Sequence, residues 1–279
     1  MIIRCWGARG SIPVSGEEYI RYGGDTTCLE IRTKDDDIII VDAGSGIRRL
    51  GHRLISEKRF NYTMIFTHAH WDHIMGFPFF NPIYFKKARI SMFGCPFAQT
   101  SVKHMISKIM APPNFPVDFE KIRAEIDYHE SCSTQFSIKS VNITPIPLNH
   151  PNQGVGYKFV EDGKSFIFLT DNELSYKHPG GTNFQAYRNF ADEADLLIHD
   201  AEYTEDEYKK TRSWGHSFYK DALRLALEAK VKKFGLFHHN QERSDKAIDT
   251  IVDDCREIIK HNQAEVECFA LHQGMEIEI

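Results

Sequence analysis

Short apolar runs, separated by glycine, aspartate and proline, dominate the first quarter of the chain. Such runs between turn signals are typical of strands, and they predict strands over residues 2–6, 28–32, 38–41 and 62–67. Small residues at 42–46 close the third strand, and the pattern after them predicts a helix over 47–57. The aspartates at 35–37 fall between two strands, where a solvated turn is favoured over an acidic metal site.

The rest of the chain adds further strands and ends in alternating helices and strands. We predict strands over 136–146, 156–160, 166–169, 195–198, 234–237 and 266–270, and helices over 217–230 and 245–261. Residues 74–135 are rich in aromatic residues and proline, apart from a helix predicted over 98–110. We expect them partly to wall a pocket and partly to cover the core. The order predicts an α/β fold, a four-layer αββα sandwich of two mixed sheets flanked by helices, in a single domain over 1–279.

Composition narrows the classes of function. Apolar residues make up 42% of the chain, which is enough for a sizeable core, and the net charge is −5. A general nucleic-acid binder needs a basic face, so this balance argues against one. It does not exclude a phosphate substrate, because a pair of metal ions carries its own positive charge.

The cysteines and the N-terminal segment indicate a cytoplasmic enzyme. Six scattered cysteines form no C-x-x-C pair, which favours reduced, buried thiols; they are Cys5, Cys28, Cys95, Cys132, Cys255 and Cys268. The chain opens directly on a predicted strand, without a signal peptide, and no apolar stretch approaches the length of a membrane span. We therefore expect no membrane partner.

One short segment carries most of the candidate chemistry. After the strand predicted at 62–67, the chain reads His68-Ala69-His70-Trp71-Asp72-His73. His68 and His70, two positions apart on extended backbone, point the same way and are placed to share one cation. Asp72 and His73 are placed to reach a second cation nearby. Paired ions of this kind generate hydroxide at neutral pH and stabilise its attack on an ester or amide.

Further candidate ligands follow later strands. His150 comes after one strand and is the expected third ligand of the first ion. Asp171 follows the strand at 166–169, where a carboxylate is placed to bridge two ions. His238 and His239 follow the strand at 234–237, and one of them is expected to complete the second site. Imidazole and carboxylate without thiolate suit Zn²⁺ and tolerate Mn²⁺ or Fe²⁺. The predicted cofactor is two divalent ions, bound by His68, His70, Asp72, His73, His150, Asp171 and His238.

The order of these residues, with Val41-Asp42-Ala43-Gly44 before them, resembles the metallo-β-lactamase superfamily over nearly the whole chain. Three further segments are similar to its tRNase Z-like phosphodiesterase branch; they are the runs at 7–13, 197–203 and 215–217. The resemblance implies the αββα sandwich and a dinuclear centre at one edge of the sheets. It also implies that Asp200 orients His216, and that His216 assists at the phosphate.

The chain departs from the tRNA-processing members in two respects, and one of them is that Thr170-Asp171-Asn172 replaces their usual Gly-Asp-Thr. Those enzymes carry a long tRNA-gripping arm between the third-histidine position and the bridging aspartate, whereas His150 and Asp171 are only 21 positions apart here. The chain therefore looks more like members that act on small or cyclic phosphodiesters. In addition, His70 stands where oxygen-reducing di-iron relatives place glutamate, which disfavours a redox role.

The expected reaction is hydrolysis of a small or cyclic phosphodiester by a hydroxide that bridges the two ions. Asp72 would accept the proton of the water, and His216 would help the departing oxygen. Arg9 is either a phosphate contact or a surface charge. Two other functions stay open: an acyl hydrolase (lactonase, thioesterase or β-lactamase-like) on the same centre, and a non-catalytic metal-dependent sensor or scaffold. Aromatic residues near 77–80 and 115 permit a homodimer.

Overall fold

The structure is a computed structural model that describes residues 1–94, 101–130 and 135–279. The described strands are β1 Ile2–Gly7, β2 Cys28–Arg32, β3 Ile38–Val41, β4 Asn61–Ile65, β5 Arg89–Gly94, β6 Glu125–Glu130, β7 Phe136–Ile138, β8 Val141–Pro147, β9 Val155–Glu161, β10 Lys164–Leu169, β11 Leu196–Asp200, β12 Lys233–Phe237, β13 Glu267–Ala270 and β14 Glu276–Glu278. The described α-helices are α1 Ile47–Ser56, α2 Trp71–Ile74, α3 Val102–Ile109, α4 Phe184–Phe190, α5 Glu205–Thr211, α6 Tyr219–Glu228 and α7 Asp245–His261.

The strands form two mixed sheets of seven strands each. One sheet runs β14-β1-β2-β3-β4-β5-β6 and the other β13-β12-β11-β10-β9-β8-β7. In the first sheet β3 to β6 are parallel and β14, β1, β2 and β3 are antiparallel neighbours. In the second sheet β10 to β13 are parallel and β7 to β10 antiparallel. With helices on the outer faces, this is the αββα sandwich predicted from the sequence.

Side-chain alternation along the strands divides the core into two parts. Phe166 and Phe168 of β10 belong to the larger cluster, which joins strands of both sheets and also includes residues of α1 and α3. Ile167 and Leu169 of the same strand belong to a second cluster, shared with α4, α6 and α7. Because successive strand residues point to opposite faces, a strand covered on both sides is apolar throughout.

The predicted elements are mostly present, with several corrections. The strand predicted over 136–146 is two strands, β7 and β8, joined by a turn in which Lys139 has a φ of 53°. Strands β5, β6 and β14 and helices α4 and α5 were missed. The helix predicted over 98–110 is present as α3, and its first three predicted positions lie outside the described residues.

Several smaller expectations are also settled. The aspartates at 35–37 lie in the turn between β2 and β3. Cys5, Cys28, Cys255 and Cys268 are free and buried, as predicted; Cys95 and Cys132 fall outside the described residues. Within the described ranges, none of the helices combines the length and the apolar character that crossing a membrane requires.

Candidate metal centre

The first candidate ligand group lies where three strands end. His68 and His70 follow β4, His150 follows β8 and Asp171 follows β10. Each offers one ligand atom, and these atoms all lie within 4.8 Å of one another. His70 Nδ1 is 2.9 Å from His150 Nε2, and Asp171 Oδ2 is 3.5 Å from His68 Nε2. The four residues expected at the first ion are therefore together.

The second group shares Asp171 with the first. It adds Asp72 and His73 from α2 and His238, which follows β12, and its ligand atoms again lie within 4.8 Å of one another. His73 Nε2 lies 3.1 Å from Asp171 Oδ1, and His238 Nε2 lies 3.0 Å from Asp72 Oδ2. Asp171 thus stands between the two groups: its Oδ1 faces His73, and its Oδ2 lies 3.5 Å from His68 Nε2 and 3.3 Å from His238 Nε2.

Hydrogen bonds outside the cluster orient the imidazole rings. Four histidines have Nδ1 against an acceptor, which leaves Nε2 facing the centre: His68 with Thr67 Oγ1 (3.1 Å), His73 with Asp42 Oδ2 (2.8 Å), His150 with the Gly215 carbonyl (2.9 Å) and His238 with Glu202 Oε2 (3.0 Å). An acceptor at Nδ1 places the proton there and leaves the Nε2 lone pair free. His70 differs, since its Nδ1 faces the cluster and its Nε2 lies 3.3 Å from the side-chain nitrogen of Asn152.

These orientations fit a bound cation. The Nε2 atoms of His68 and His73 are buried and have no hydrogen-bond partner. Lone pairs converging on carboxylate oxygens repel one another unless a positive charge lies between them. Divalent ions are the groups that this set of imidazole and carboxylate donors accommodates.

The pKa values of these histidines are shifted by burial and by the carboxylates around them. Burial lowers the pKa of His68 and of His150 well below the ordinary value, which keeps both rings neutral as metal ligands require. Burial also opposes charge on His73 and His238, but nearby carboxylates, Asp171 foremost, outweigh it and raise the pKa of both well above the ordinary value. The cluster therefore attracts positive charge.

Two of the candidate ligands and one supporting acid have a strained backbone conformation. Asp42, Asp171 and His238, each just after a strand, have φ values of 61°, 50° and 58°, in the left-handed region that costs energy for residues other than glycine. Close packing adds a further constraint at Gly10, where a Cβ would lie 2.4 Å from the His238 ring. The backbone thus turns these side chains inward at the strand ends.

A second pair of groups flanks the centre. His216 Nδ1 lies 2.6 Å from Asp200 Oδ2, and both residues are buried. Burial alone would lower the pKa of His216, yet Glu202 and Asp200 raise it to about 9. The two carboxylates thus favour the protonated form of His216, and its ring stacks on that of His238 with centroids 4.7 Å apart. The pair expected from the sequence is thus assembled beside the ligand groups.

Sequence reasoning missed three carboxylates that support this arrangement. Asp42 receives hydrogen bonds from the Thr67 amide and hydroxyl as well as from His73. Glu202 lies between His238 and His216, at 3.0 Å and 3.3 Å from their Nδ1 atoms. Asp42 and Glu202 each follow a predicted strand, and that position is the feature of the sequence that could have identified them.

The third missed acid acts on the loop that carries His216. Glu173 is fully buried and accepts hydrogen bonds from the amides of Ser213 and Gly215 and from Tyr208 Oη. Gly215 in turn offers its carbonyl to His150. Because these contacts join distant parts of the chain, spacing along the sequence gave no indication of them.

Two expectations are corrected or resolved by the geometry. Arg9 is 1% exposed, and its guanidinium donates to the carbonyls of Gly23, Asn240 and Arg243. Its terminal nitrogens are committed to backbone, so we do not retain it as a phosphate contact. Of the adjacent histidines, His238 joins the second group, whereas His239 Nε2 lies 2.9 Å from the Leu271 carbonyl and away from the centre.

Comparison with known proteins places this fold and site in a family. The beta-lactamase superfamily domain profile matches residues 38–239. Ribonuclease Z of Haloferax volcanii is 20% identical, with 88% of this chain and 87% of the relative covered. Ribonuclease Z of Thermococcus gammatolerans is 25% identical, with 72% and 74% covered.

Solved structures share the fold. The metallo-β-lactamase fold protein YhfI from Bacillus subtilis superposes with a TM-score of 0.72 at 15% identity, covering 100% of this chain and 99% of that one. A diphosphatase of the PhnP family gives a TM-score of 0.69 at 17% identity, with 100% and 97% covered. The short form of human tRNase Z gives 0.68 at 19% identity, with 100% and 99% covered.

The matched domain, the sandwich and the His/Asp cluster define a hydrolase of the metallo-β-lactamase fold. The chain belongs to the metallo-β-lactamase superfamily, and the curated relatives that it resembles include ribonuclease Z enzymes. The resemblance inferred from the sequence is therefore confirmed.

Proposed function

We propose that this chain is a phosphodiesterase that hydrolyses small phosphodiesters at a centre of two divalent metal ions. The placement of Asp171 carries the proposal, because this one buried carboxylate belongs to both ligand groups: its Oδ1 lies 3.1 Å from His73 Nε2 in one, and its Oδ2 lies 3.5 Å from His68 Nε2 in the other. One carboxylate serving two groups is the arrangement that a paired-ion centre needs. Because the donors come from both sheets, we treat residues 1–279 as one catalytic domain.

The residues of the centre divide into two proposed ligand sets. His68, His70 and His150 would hold one ion, Asp72, His73 and His238 the other, and Asp171 would contact both. The donor set favours Zn²⁺, with Mn²⁺ and Fe²⁺ as alternatives. When bound, such ions lower the pKa of water and neutralise charge on a phosphate oxygen.

Protein side chains supply the proton transfers. Asp72 already accepts the Ser11 amide at 2.9 Å, which fixes its carboxylate, and it is the proposed acceptor of the proton of the attacking water. His216, held by Asp200 through Nδ1, has Nε2 available to donate a proton to the departing oxygen. The water oxygen forms the new bond to phosphorus as the bond to the departing oxygen breaks. Asp72 takes the proton of the water and His216 gives one to the departing oxygen, so the products are a phosphomonoester and an alcohol.

A small substrate is favoured over a folded RNA. Between His150 and Asp171 the chain forms only the β9–β10 hairpin, which pairs Val160 with Ser165 and turns at Asp162-Gly163. This hairpin is too short to form a gripping arm at the position expected from the resemblance. Relatives named ribonuclease Z and a diphosphatase neighbour agree with chemistry at phosphorus.

Metal analysis and a substrate panel on purified protein test the proposal. We expect two divalent ions per chain, and turnover of bis(p-nitrophenyl) phosphate and of a 2′,3′-cyclic nucleotide. Asp171→Ala should lose turnover and bound metal together, whereas the exposed turn variant Asp162→Ala should retain both. Hydrolysis of a lactone or β-lactam without diester hydrolysis would reverse the assignment. A metal-loaded protein inert toward the whole panel would favour the sensor or scaffold.

A further inference from the structure

An apolar cavity lies directly beside the loop that carries the candidate ligands. Its volume is about 440 Å³, and its walls come from three segments; they are Ala69 to Met75, Pro78 with Phe79, and the stretch from Met105 to Phe115. Nearly all of its lining residues are apolar, and the exceptions are Lys108 and Asn114. A concave, largely apolar site with few polar groups is typical of small-molecule pockets.

Aromatic rings line the opening of this cavity. Trp71 is 71% exposed and Phe79 is 53% exposed. The Phe79 and Phe115 rings meet edge to face, with centroids 5.4 Å apart and planes at 86°. Exposed aromatic faces beside an apolar cavity suit stacking with another planar ring.

The loop shared by the cavity and the centre fixes their separation. On α2, Trp71 and Ile74 point to the cavity, whereas Asp72 and His73 belong to the ligand groups. The two sites are therefore separated by one helix turn, about 10 Å across with its side chains. A ligand that fills both needs a spacer of several bonds between its phosphorus and its ring. The partly exposed His70 belongs to the first ligand group, and its chain neighbours Ala69 and Trp71 line the cavity.

We propose that this cavity is a subsite for the planar aromatic base of a nucleotide whose phosphate lies at the metal centre. The inference rests on the proposed phosphodiesterase function and assigns its substrate class as nucleoside phosphodiesters. The ribose supplies the spacer, Trp71 and Phe79 stack on the base, and Lys108 adds a positive charge suited to an anionic ligand. Concavity and this lysine favour a nucleotide over a second copy of the chain.

Two matched ligands isolate the contribution of the base. AMP and ribose 5-phosphate share the phosphate and the sugar, so isothermal titration calorimetry on the metal-loaded protein measures the base alone. We expect AMP to bind about tenfold more tightly, as one stacked base contributes. Trp71→Ala and Phe79→Ala should each remove most of that difference and leave the affinity for ribose 5-phosphate unchanged. Ile20→Ala, an exposed apolar position outside the cavity, should retain it.

Several outcomes would overturn the subsite. Equal affinity for the two ligands in the parent protein would do so, as would a preference for AMP that survives both aromatic substitutions. Phenyl phosphate carries an aromatic ring with no spacer between the ring and the phosphate. If Trp71 increased the affinity for phenyl phosphate, the argument from the distance between the two sites would be contradicted. If Trp71→Ala instead dissociates a dimer and leaves nucleotide affinity unchanged, the cavity is an interface between copies.

The binding assay also separates this inference from the proposed function. It requires no turnover, so a preference for AMP without diester hydrolysis would retain the subsite and reject the phosphodiesterase. Diester hydrolysis with equal binding of AMP and ribose 5-phosphate would retain the phosphodiesterase and reject the subsite.

Discussion

Replacing Asp42 by asparagine tests whether outer hydrogen bonds prepare the centre for metal. Asp42 is 1% exposed and receives hydrogen bonds from the Thr67 amide (2.8 Å), the Thr67 hydroxyl (2.7 Å) and His73 Nδ1 (2.8 Å). In Asp42→Asn the amide oxygen still accepts from the Thr67 amide, and the new NH₂ group faces His73. The ring must then place its proton on Nε2, which removes the lone pair that faces the second ligand group.

The magnitude follows from that change of tautomer. Removing a partner that orients a metal ligand costs about 10- to 100-fold in metal affinity, or about 1.4–2.8 kcal/mol. The loss is expected at one of the two sites, because Asp42 contacts no member of the first group directly. Asparagine is preferable to alanine, which would leave three buried donors unpaired at about 1–3 kcal/mol each and endanger the fold.

Competition with a chromophoric chelator gives the affinity of each site, and thermal unfolding of the metal-free protein monitors the fold. Asp162→Asn, at an exposed hairpin aspartate, is the matched control and should bind both ions as the parent does. Unchanged affinity in Asp42→Asn would refute the tautomer argument. Equal loss of both ions with a large fall in Tm would instead assign Asp42 a role in folding alone.

Three further predictions concern the same centre. Protonated His216, with a pKa of about 9, is the proposed acid, so diester hydrolysis should decline as pH rises through that value. Asp200→Asn removes one of the carboxylates that raise this pKa. A pH–rate profile of that variant should therefore show the alkaline decline at lower pH. Gly10→Ala places a Cβ against the His238 ring, so chelator competition should show weaker binding of the second ion. Removing metal with EDTA should abolish hydrolysis. It should also lower Tm, measured by scanning calorimetry, by about 5 °C for each site at which the free metal concentration had been a hundred times the Kd. Adding Zn²⁺ back, as the control, should restore both.

Most long or fully buried elements were predictable from local pattern. Strands β2 and β3 and helix α7 have the bounds that the pattern indicated. The missed elements are short or partly exposed, so their apolar signal is weak and packing supplies most of their stability. Helix α5 is short, but its start is marked in the sequence, since Thr204 and Glu207 form a capping box there.

The local sequence determined which residue types follow each strand, and therefore the chemistry available at the sheet edge. His68 to His73, His150 and Asp171 were recognisable because imidazole and carboxylate directly after strands are unusual as packing. Only the tertiary structure decided between His238 and His239, withdrew Arg9 and added Glu202 to the centre. The physical reason is that these roles depend on which groups from distant strands come within hydrogen-bond reach, and that distance is set by packing the two sheets together.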